Sequence, residues 1–499
     1  MTAPTPRFRD SAAVILVRGH GDELEAFWVT RSERVPYMPG FQAFIGGSVD
    51  PSDAELPWQH PPEQEAERML RACAVREAFE EACVLVALDD GVRVSPGDRD
   101  QSFRALHAGE ASFAALARRC GWRFRADRLV PAGRWQTPLF ASMRFDTSFY
   151  LARVEGQEPD VRPGELHSGE WIAPRDALER WRRGEATFAA PILYSLLALG
   201  EGEEALAERI ALGPELYREN VSRIELKWGI VLHPMATRPL PPATHTNAYL
   251  VGEREMALVD PGSGAREELE KLFQLVDSLA REGRVLKLVL LTHHHPDHAD
   301  GIAAVCERYR VPVAAHAATA DHVRVDFLLD DEDWIPLVPG SGEWSLRALH
   351  TPGHTRGHLC FHHPRTKSLF CGDHIPGGRG TVIIDPPEGD MAAYVESLER
   401  LLGEEIETLF PGHGSPQGGA RRRIEGLIAH RRDRERKVVE ALGDDPKIPA
   451  ALVERAYADT PRELWGYAER SLLAHLLKLE REGRARRLGE RWAASRESE

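Results

Sequence analysis

The chain has 499 residues, too many for one hydrophobic core, and a formal balance of −15; several domains are expected, and non-specific coating of nucleic acid through phosphate neutralisation is disfavoured. No run reaches the roughly 18 apolar residues of a membrane helix. The six cysteines (Cys73, Cys83, Cys120, Cys306, Cys360, Cys371) lack C-x-x-C spacing, which fits reduced thiols, a cytoplasmic location, and neither signal peptide nor membrane anchor.

Residues 10–200 alternate apolar strand segments (AAVILVR, FWVTR, FDTSFYLARV) with helical ones such as EAERMLRACAVREAFEEACVLVAL and ALERWRRG, which predicts an α/β domain over 1–200. Inside the long helical stretch, REAFEE at 76–81 places Glu77, Glu80 and Glu81 at i, i+3 and i+4. Three carboxylates on one face repel each other unless a cation lies between them, and hard oxygen donors on a rigid helix suit magnesium or manganese. REAFEE resembles the core of the Nudix box, and FIGGSVDPSD, with Gly46 and Gly47, resembles its glycine half, about twenty extra residues upstream of Arg76. With TRSERVPYMPGFQAFIGG and RWQTPLFASMRFDTSFYLA on either side, residues 8–195 look like the coenzyme A diphosphatase-type Nudix hydrolases with an interrupted box. The resemblance implies an α/β/α sandwich that cleaves a diphosphate in a coenzyme A-like substrate. It also implies that Glu77, Glu80 and Glu81 bind the metal, that Arg76 orients them by a salt bridge, and that Gly46 and Gly47 shape the loop. Ile45 departs from the usual Pro, and Cys83 stands where the box ends in Gly, leaving the helix able to continue a turn. Glu165 and Glu170 are candidate bases in a late loop.

Residues 201–222 read as a charged helical linker, and RPLPPATHT at 238–246 as a loop. A second α/β pattern occupies 223–419: strands NAYLVG and MALVD, helix REELEKLFQLVDSLAREG, strand VLKLVLL, then LTHHHPDH at 291–298. Alternate residues of extended chain project to one side, so His293 and His295 can grip one ion while Asp297 and His298 turn toward a neighbour and His294 points away. Two ions need more donors. His354 in TPGHTRGH, Asp373 in LFCGDH and His413 in FPGHG each lie beside Gly after a strand-like stretch.

This set resembles the metallo-β-lactamase fold superfamily, motif by motif and in chain order. The resemblance implies an αββα sandwich with two zinc ions: one on His293, His295 and His354, the other on Asp297, His298 and His413, with Asp373 bridging. Paired ions lower the pKa of a shared water and stabilise charge on the attacked group, which makes hydrolysis the reaction class. Asp297 is the candidate catalytic base, although ligand and base roles are not separable by sequence. For His358 and His374, support of a ligand, substrate contact and simple packing all stay open; His362 and His363, in a polar turn, are expected to be exposed.

Residues 420–499 are helical in character and carry a basic excess on an otherwise acidic chain. Leu472, Leu473, Leu476 and Leu477 form one apolar helix face, ended near Gly483 and followed by a basic strand-like segment. From TPGHTRGH to the C-terminus the chain looks like the lactamase-beta-like protein 2 group, which implies a small winged-helix domain. That group includes single-strand-selective endoribonucleases, and related members are thioesterases. The expectation is a bifunctional metal-dependent hydrolase. A zinc head would open an ester-type bond, a thioester such as acyl-coenzyme A being favoured, and a Nudix head would cleave the diphosphate of the same kind of small molecule. Two rivals stand beside it: RNA as substrate of the zinc head, and an inactive, nucleotide-sensing Nudix domain. Oligomeric state is not legible.

Overall fold

A computed structural model describes residues 8–138, 141, 143–162, 164–202, 223–241, 243–337, 344–378 and 380–495. The expected linker at 201–222 lies, beyond residue 202, outside these. The chain divides into two units, Met1–Val231 and Leu232–Glu499.

In the first unit the strand Arg9–Arg18 is central, parallel to Phe145–Arg153 on one side and antiparallel to Glu25–Arg31 on the other. Strand geometry alternates side chains between faces, and both faces here are covered. Ala12, Val14, Leu16, Phe27 and Val29 enter one core with the helix Glu65–Ala82, while Ala13, Ile15, Val17, Ala26 and Trp28 enter another with the helices Pro174–Arg182 and Ala190–Glu201. The result is an α/β/α sandwich in which each buried Val or Ile contributes roughly 1.5–3 kcal/mol. Strand Ile45–Ser48 pairs with the first half of the central strand and delivers Gly46 and Gly47 beside the helix Glu65–Ala82.

That helix does not run through VLVAL. It stops at Ala82 because Cys83 itself adopts the left-handed region, φ 55°, ψ 28°. The Cys83 N–H donates to the Phe79 carbonyl at 2.8 Å and the Val84 N–H to the Ala78 carbonyl at 3.2 Å, closing the helix as a glycine would. The left-handed turn costs a non-glycine residue about 1–2 kcal/mol; burial of Cys83, Val84, Leu85 and Val86 in the core offsets it.

In the second unit, strands His245–Val251, Glu255–Val259, Val285–Leu290 and Val313–Ala315 lie side by side in one sheet, with the helix Arg266–Arg281 packed on Val285–Leu290. A second sheet holds Ser345–His350, Leu359–His363, Ser368–Gly372 and Thr408–Pro411. The helices Met391–Leu401 and Ala420–Leu442 share a core with this sheet through Tyr394, Leu398, Ile424 and Leu427 against Leu349, Leu369 and Leu409. Both faces of the sheet are covered, so His362 and His363 are buried in the strand Leu359–His363 rather than exposed in a turn. His362 Nε2 pairs with the Glu405 carbonyl at 3.2 Å and His363 Nδ1 with Thr366 Oγ1 at 2.7 Å.

The C-terminal part adds the helices Pro449–Ala456 and Trp465–Arg481 and a hairpin, Ala485–Leu488 with Arg491–Ala494. Leu472 and Leu476 are fully enclosed, Leu473 and Leu477 partly so, around Trp492 of the hairpin. No described helix is long and apolar enough to cross a membrane, and all six cysteines are free.

Candidate active site

The loops that follow strands of both sheets bring together the histidines and aspartates singled out in the sequence. His293 Nε2 and His354 Nε2 each approach His295 Nδ1, at 3.0 and 3.1 Å. Beside them, His298 Nε2 is 3.3 Å from His413 Nε2, and His413 Nε2 is 3.3 Å from Asp297 Oδ2. Asp373 lies between the groups: Oδ1 is 3.3 Å from His298 Nε2 and 3.4 Å from His413 Nε2, while Oδ2 is 3.8 Å from His354 Nε2. Three triads have ligand atoms within 4.8 Å of one another: His293, His295, His354; His293, His298, Asp373; and Asp297, His298, His413.

The far nitrogens explain why the near ones converge. His293 Nδ1 meets Thr292 Oγ1 at 3.0 Å, His354 Nδ1 the Ile383 carbonyl at 3.1 Å, and His413 Nδ1 the His245 carbonyl at 2.8 Å. His298 Nδ1 meets Asp260 Oδ2 at 2.8 Å. Bonds of this kind set ring orientation and tautomer and leave Nε2 to face a common point. Asp260 was not singled out from sequence. Its carboxylate also accepts the Thr292 N–H at 2.8 Å and hydroxyl at 2.6 Å, and its backbone takes φ 51°, a strained conformation of the kind found at functional sites. The available signal was a strand ending in Asp-Pro-Gly.

Charge separates the two groups. Burial, then the neighbouring rings, drives His293 well below the ordinary histidine range and His295 down to about 3. Burial also opposes protonation of His298 and His413. The Asp373 and Asp260 carboxylates nevertheless hold His298 well above its range, and Asp373 and Asp297 lift His413 to about 10. Against the effect of burial, His413 and His298 keep the Asp373 carboxyl well below the usual carboxylate range. One group is therefore a set of neutral imidazoles, and the other a set of carboxylates and protonated rings in which a cation would replace the protons. His358 and His374 are fully buried, and the His358 ring lies 5.4 Å from that of His293, which suits packing behind the site better than contact with substrate. His294 turns away and stacks on His322 with ring centroids 3.9 Å apart.

In the first unit Arg76 organises the acidic helix face. Its guanidinium donates to Glu77 Oε1 at 2.7 Å, Glu80 Oε2 at 3.0 Å, Asp53 Oδ1 at 2.8 Å and the Ser48 carbonyl at 2.8 Å. Asp53, which the sequence reading passed over, is the last residue of the glycine half FIGGSVDPSD and lies in the short helix Pro51–Glu55. The Gly46 N–H donates to Glu81 Oε2 at 3.0 Å. A Cβ on Gly46 would lie 2.5 Å from the Ala12 carbonyl, so that position needs glycine, and one on Gly47 would lie 2.2 Å from Glu77 Oε1 and force that carboxylate to shift. Burial, then Glu77, raises Glu81 well above the usual range, with Glu165 adding to the shift, while burial raises Glu77 to about 7 against the pull of Arg76. Glu170 is engaged elsewhere, by Arg180 at 2.6 Å and the Trp28 indole at 3.1 Å. Among the described residues, none of the three-residue convergences includes Glu77, Glu80 or Glu81.

Comparison with known families agrees with this division. Residues 62–199 match the NUDT19 Nudix domain, 241–413 the metallo-beta-lactamase superfamily, and 449–492 the beta-lactamase associated winged helix domain. Over 254 residues the chain is 30% identical to the beta-lactamase-like protein 2 homolog of Drosophila melanogaster, covering 48% of this chain and 84% of the fly protein. The chain belongs to the beta-lactamase-like protein 2 family and carries a Nudix domain in front. An atrochrysone carboxyl ACP thioesterase of Aspergillus fumigatus is 31% identical over 222 residues, 44% of this chain and 66% of the fungal protein. A NUDIX hydrolase structure from Alicyclobacillus acidocaldarius, 30% identical, covers 42% of this chain and all of that one with a TM-score of 0.37.

This beta-lactamase-like protein 2 relative is thus a three-domain hydrolase of Nudix, metallo-β-lactamase and winged-helix parts, and domains of both catalytic kinds bind divalent metals.

Proposed function

We propose that the metallo-β-lactamase-fold domain hydrolyses the thioester of a small carrier molecule such as an acyl-coenzyme A, and that the Nudix domain cleaves the diphosphate of a coenzyme A-like nucleotide. The observation that carries the first part is the convergence of His293, His295 and His354 on one point and of Asp297, His298 and His413 on an adjacent one, with Asp373 between. Borderline nitrogen donors with a few carboxylates fit zinc; His293, His295 and His354 would hold one ion, Asp297, His298 and His413 the other, with Asp373 shared. Bound there, the pair supplies Lewis acidity and a water acidic enough to attack at neutral pH.

The chain's own groups do the rest. Asp260, Thr292, Ile383 and His245 fix the imidazole orientations before substrate arrives. Asp297, with about a fifth of its side chain open to solvent, accepts the proton of the attacking water at a carboxylate oxygen. The thioester preference draws on the thioesterase named among the relatives and on a neighbouring Nudix domain suited to the same carrier. In that domain Glu77, Glu80 and Glu81 would hold magnesium or manganese. The fit rests on the hard oxygen donors and on the crowding that raises the Glu81 carboxyl well above the usual range, chiefly burial and then Glu77.

The experiment follows acyl-coenzyme A hydrolysis by wild type, His295→Ala and Glu80→Gln, reading free thiol and phosphoadenosine phosphate separately. His295→Ala is expected to remove thiol release, and Glu80→Gln the nucleotide product. No thiol release by wild type with zinc would end the thioester reading. A second reading, cleavage of single-stranded RNA, is favoured by Arg486, Arg487 and Arg491 of the terminal hairpin, which form no ion pair among the described residues. It predicts RNA cleavage lost in His295→Ala and weakened in Arg486→Ala/Arg487→Ala.

A further inference from the structure

Residues 382–390 form a strap along the His354 loop. On one side it holds that loop. The Ile383 carbonyl accepts from His354 Nδ1 at 3.1 Å, Glu388 Oε1 accepts the Arg356 N–H at 3.0 Å, and the Asp390 N–H donates to the Gly353 carbonyl at 2.8 Å. On the other side it is held by arginines of the C-terminal helices. Arg470 clasps Asp385 with two bonds of 2.6 Å, and Arg481 clasps Asp390 with bonds of 2.7 and 2.9 Å. Arg431, on the helix Ala420–Leu442, donates to the Val382 carbonyl.

Arg470 and Arg481 are eleven residues apart on the helix Trp465–Arg481. At 3.6 residues per turn that is close to three whole turns, so both guanidinium forks leave the same face and meet the strap at two separated points. A bidentate fork fixes orientation as well as distance. Two of them, with Arg431 between an inner helix and the strap, over-determine where the Ile383 carbonyl sits and hence where the His354 ring points. The bridges are half exposed, with side-chain exposures of 58% and 42% for Arg470 and Asp385 and of 56% and 36% for Arg481 and Asp390. Exposed ion pairs contribute little to folding, so their effect lies in position.

We infer that the winged-helix domain clamps the metal centre, with Arg470 and Arg481 as positioning residues that aim His354 Nε2 through the strap at 382–390. The inference rests on the proposed role of His354 as a ligand and adds to it a function for the C-terminal domain that involves no nucleic acid.

The test uses the full chain loaded with cobalt, reading its affinity by chelator competition and its visible absorption. His354→Ala is expected to lose tight binding of one ion. Arg470→Ala/Arg481→Ala should weaken that same ion about tenfold or more, as loss of a group orienting a ligand does, and alter the spectrum with the melting temperature little changed. Exchanging the charges, Arg470→Asp with Asp385→Arg, should recover most of the affinity. Raising ionic strength should weaken binding in wild type and leave the double alanine variant unmoved. If the double variant does not fold, Arg470→Lys, which keeps the charge and loses the fork, is expected to show an intermediate affinity. Wild-type cobalt affinity and spectrum in the double variant, or in Arg470→Lys where that stands in, overturn the clamp while leaving the ligand reading intact. Retention of both ions by His354→Ala overturns the ligand reading itself.

Discussion

Asp260 shows how much of the site's order depends on one buried side chain behind the histidines. Its carboxylate takes bonds from His298 Nδ1 and from both the amide and hydroxyl of Thr292. Asp260→Asn preserves the shape and loses the charge that holds the His298 proton on Nδ1. Metal affinity at the Asp297, His298, His413 group should fall about 10- to 100-fold, measured by chelator competition. Glu81 makes the opposite case, a carboxyl that resists ionisation. A folded-state pKa above the ordinary 4.5 means the folded chain binds the proton more tightly. The associated stability is complete below 4.5 and is lost as pH rises, through about 7 for Glu77. The metal-free Nudix unit should therefore melt at lower temperature at pH 8 than at pH 5 as far as these groups contribute, and magnesium should recover the difference. In Glu81→Gln, whose amide oxygen can still accept from Gly46, the profile should flatten and the magnesium response disappear. An unchanged profile in that variant would refute the assignment.

At the scale of the element, the helix Glu65–Ala82 carries fold and site on opposite faces. Phe79 packs on Phe103, Phe113 and Trp122 with ring centroids 5.2–5.8 Å apart, so Phe79→Ala should cost about 3–5 kcal/mol by denaturant unfolding. Gly47→Ala tests the other face. The added methyl meets the Glu77 carboxylate at 2.2 Å and should displace it, destabilising by about 1–3 kcal/mol and removing nucleotide cleavage while thiol release persists. REAFEE was legible because helical periodicity stacks its carboxylates on one face. The end of the helix was not: nothing local distinguishes a Cys that will adopt φ 55° from one that will continue the turn, and the choice is made by Val84, Leu85 and Val86 entering the core.

For the whole molecule, metal and protons compete for the same atoms. His298 and His413 hold protons tightly in the metal-free protein, His413 with a pKa of about 10. Binding at this group must release them, so affinity should rise steadily with pH across the neutral range. Calorimetry in buffers of differing ionisation enthalpy would count the protons, and an affinity independent of pH would contradict this account.

Read alone, the chain declared its architecture and the histidines and aspartates of its second unit, because strand and helix periods and a dense H-x-H-x-D-H motif are local signals. The roles of Asp53, Asp260 and the arginines of the strap were not legible in it. Their partners lie 23, 38 and 85 or more residues away, and neither the end of FIGGSVDPSD nor a strand ending in Asp-Pro-Gly says which distant group such a side chain will hold. The burial of His362 and His363 was likewise decided by neighbouring strands and the helices over them. Long-range closure, which excludes water and brings distant polar groups within bonding reach, turns those ordinary residues into the ones that aim the rest.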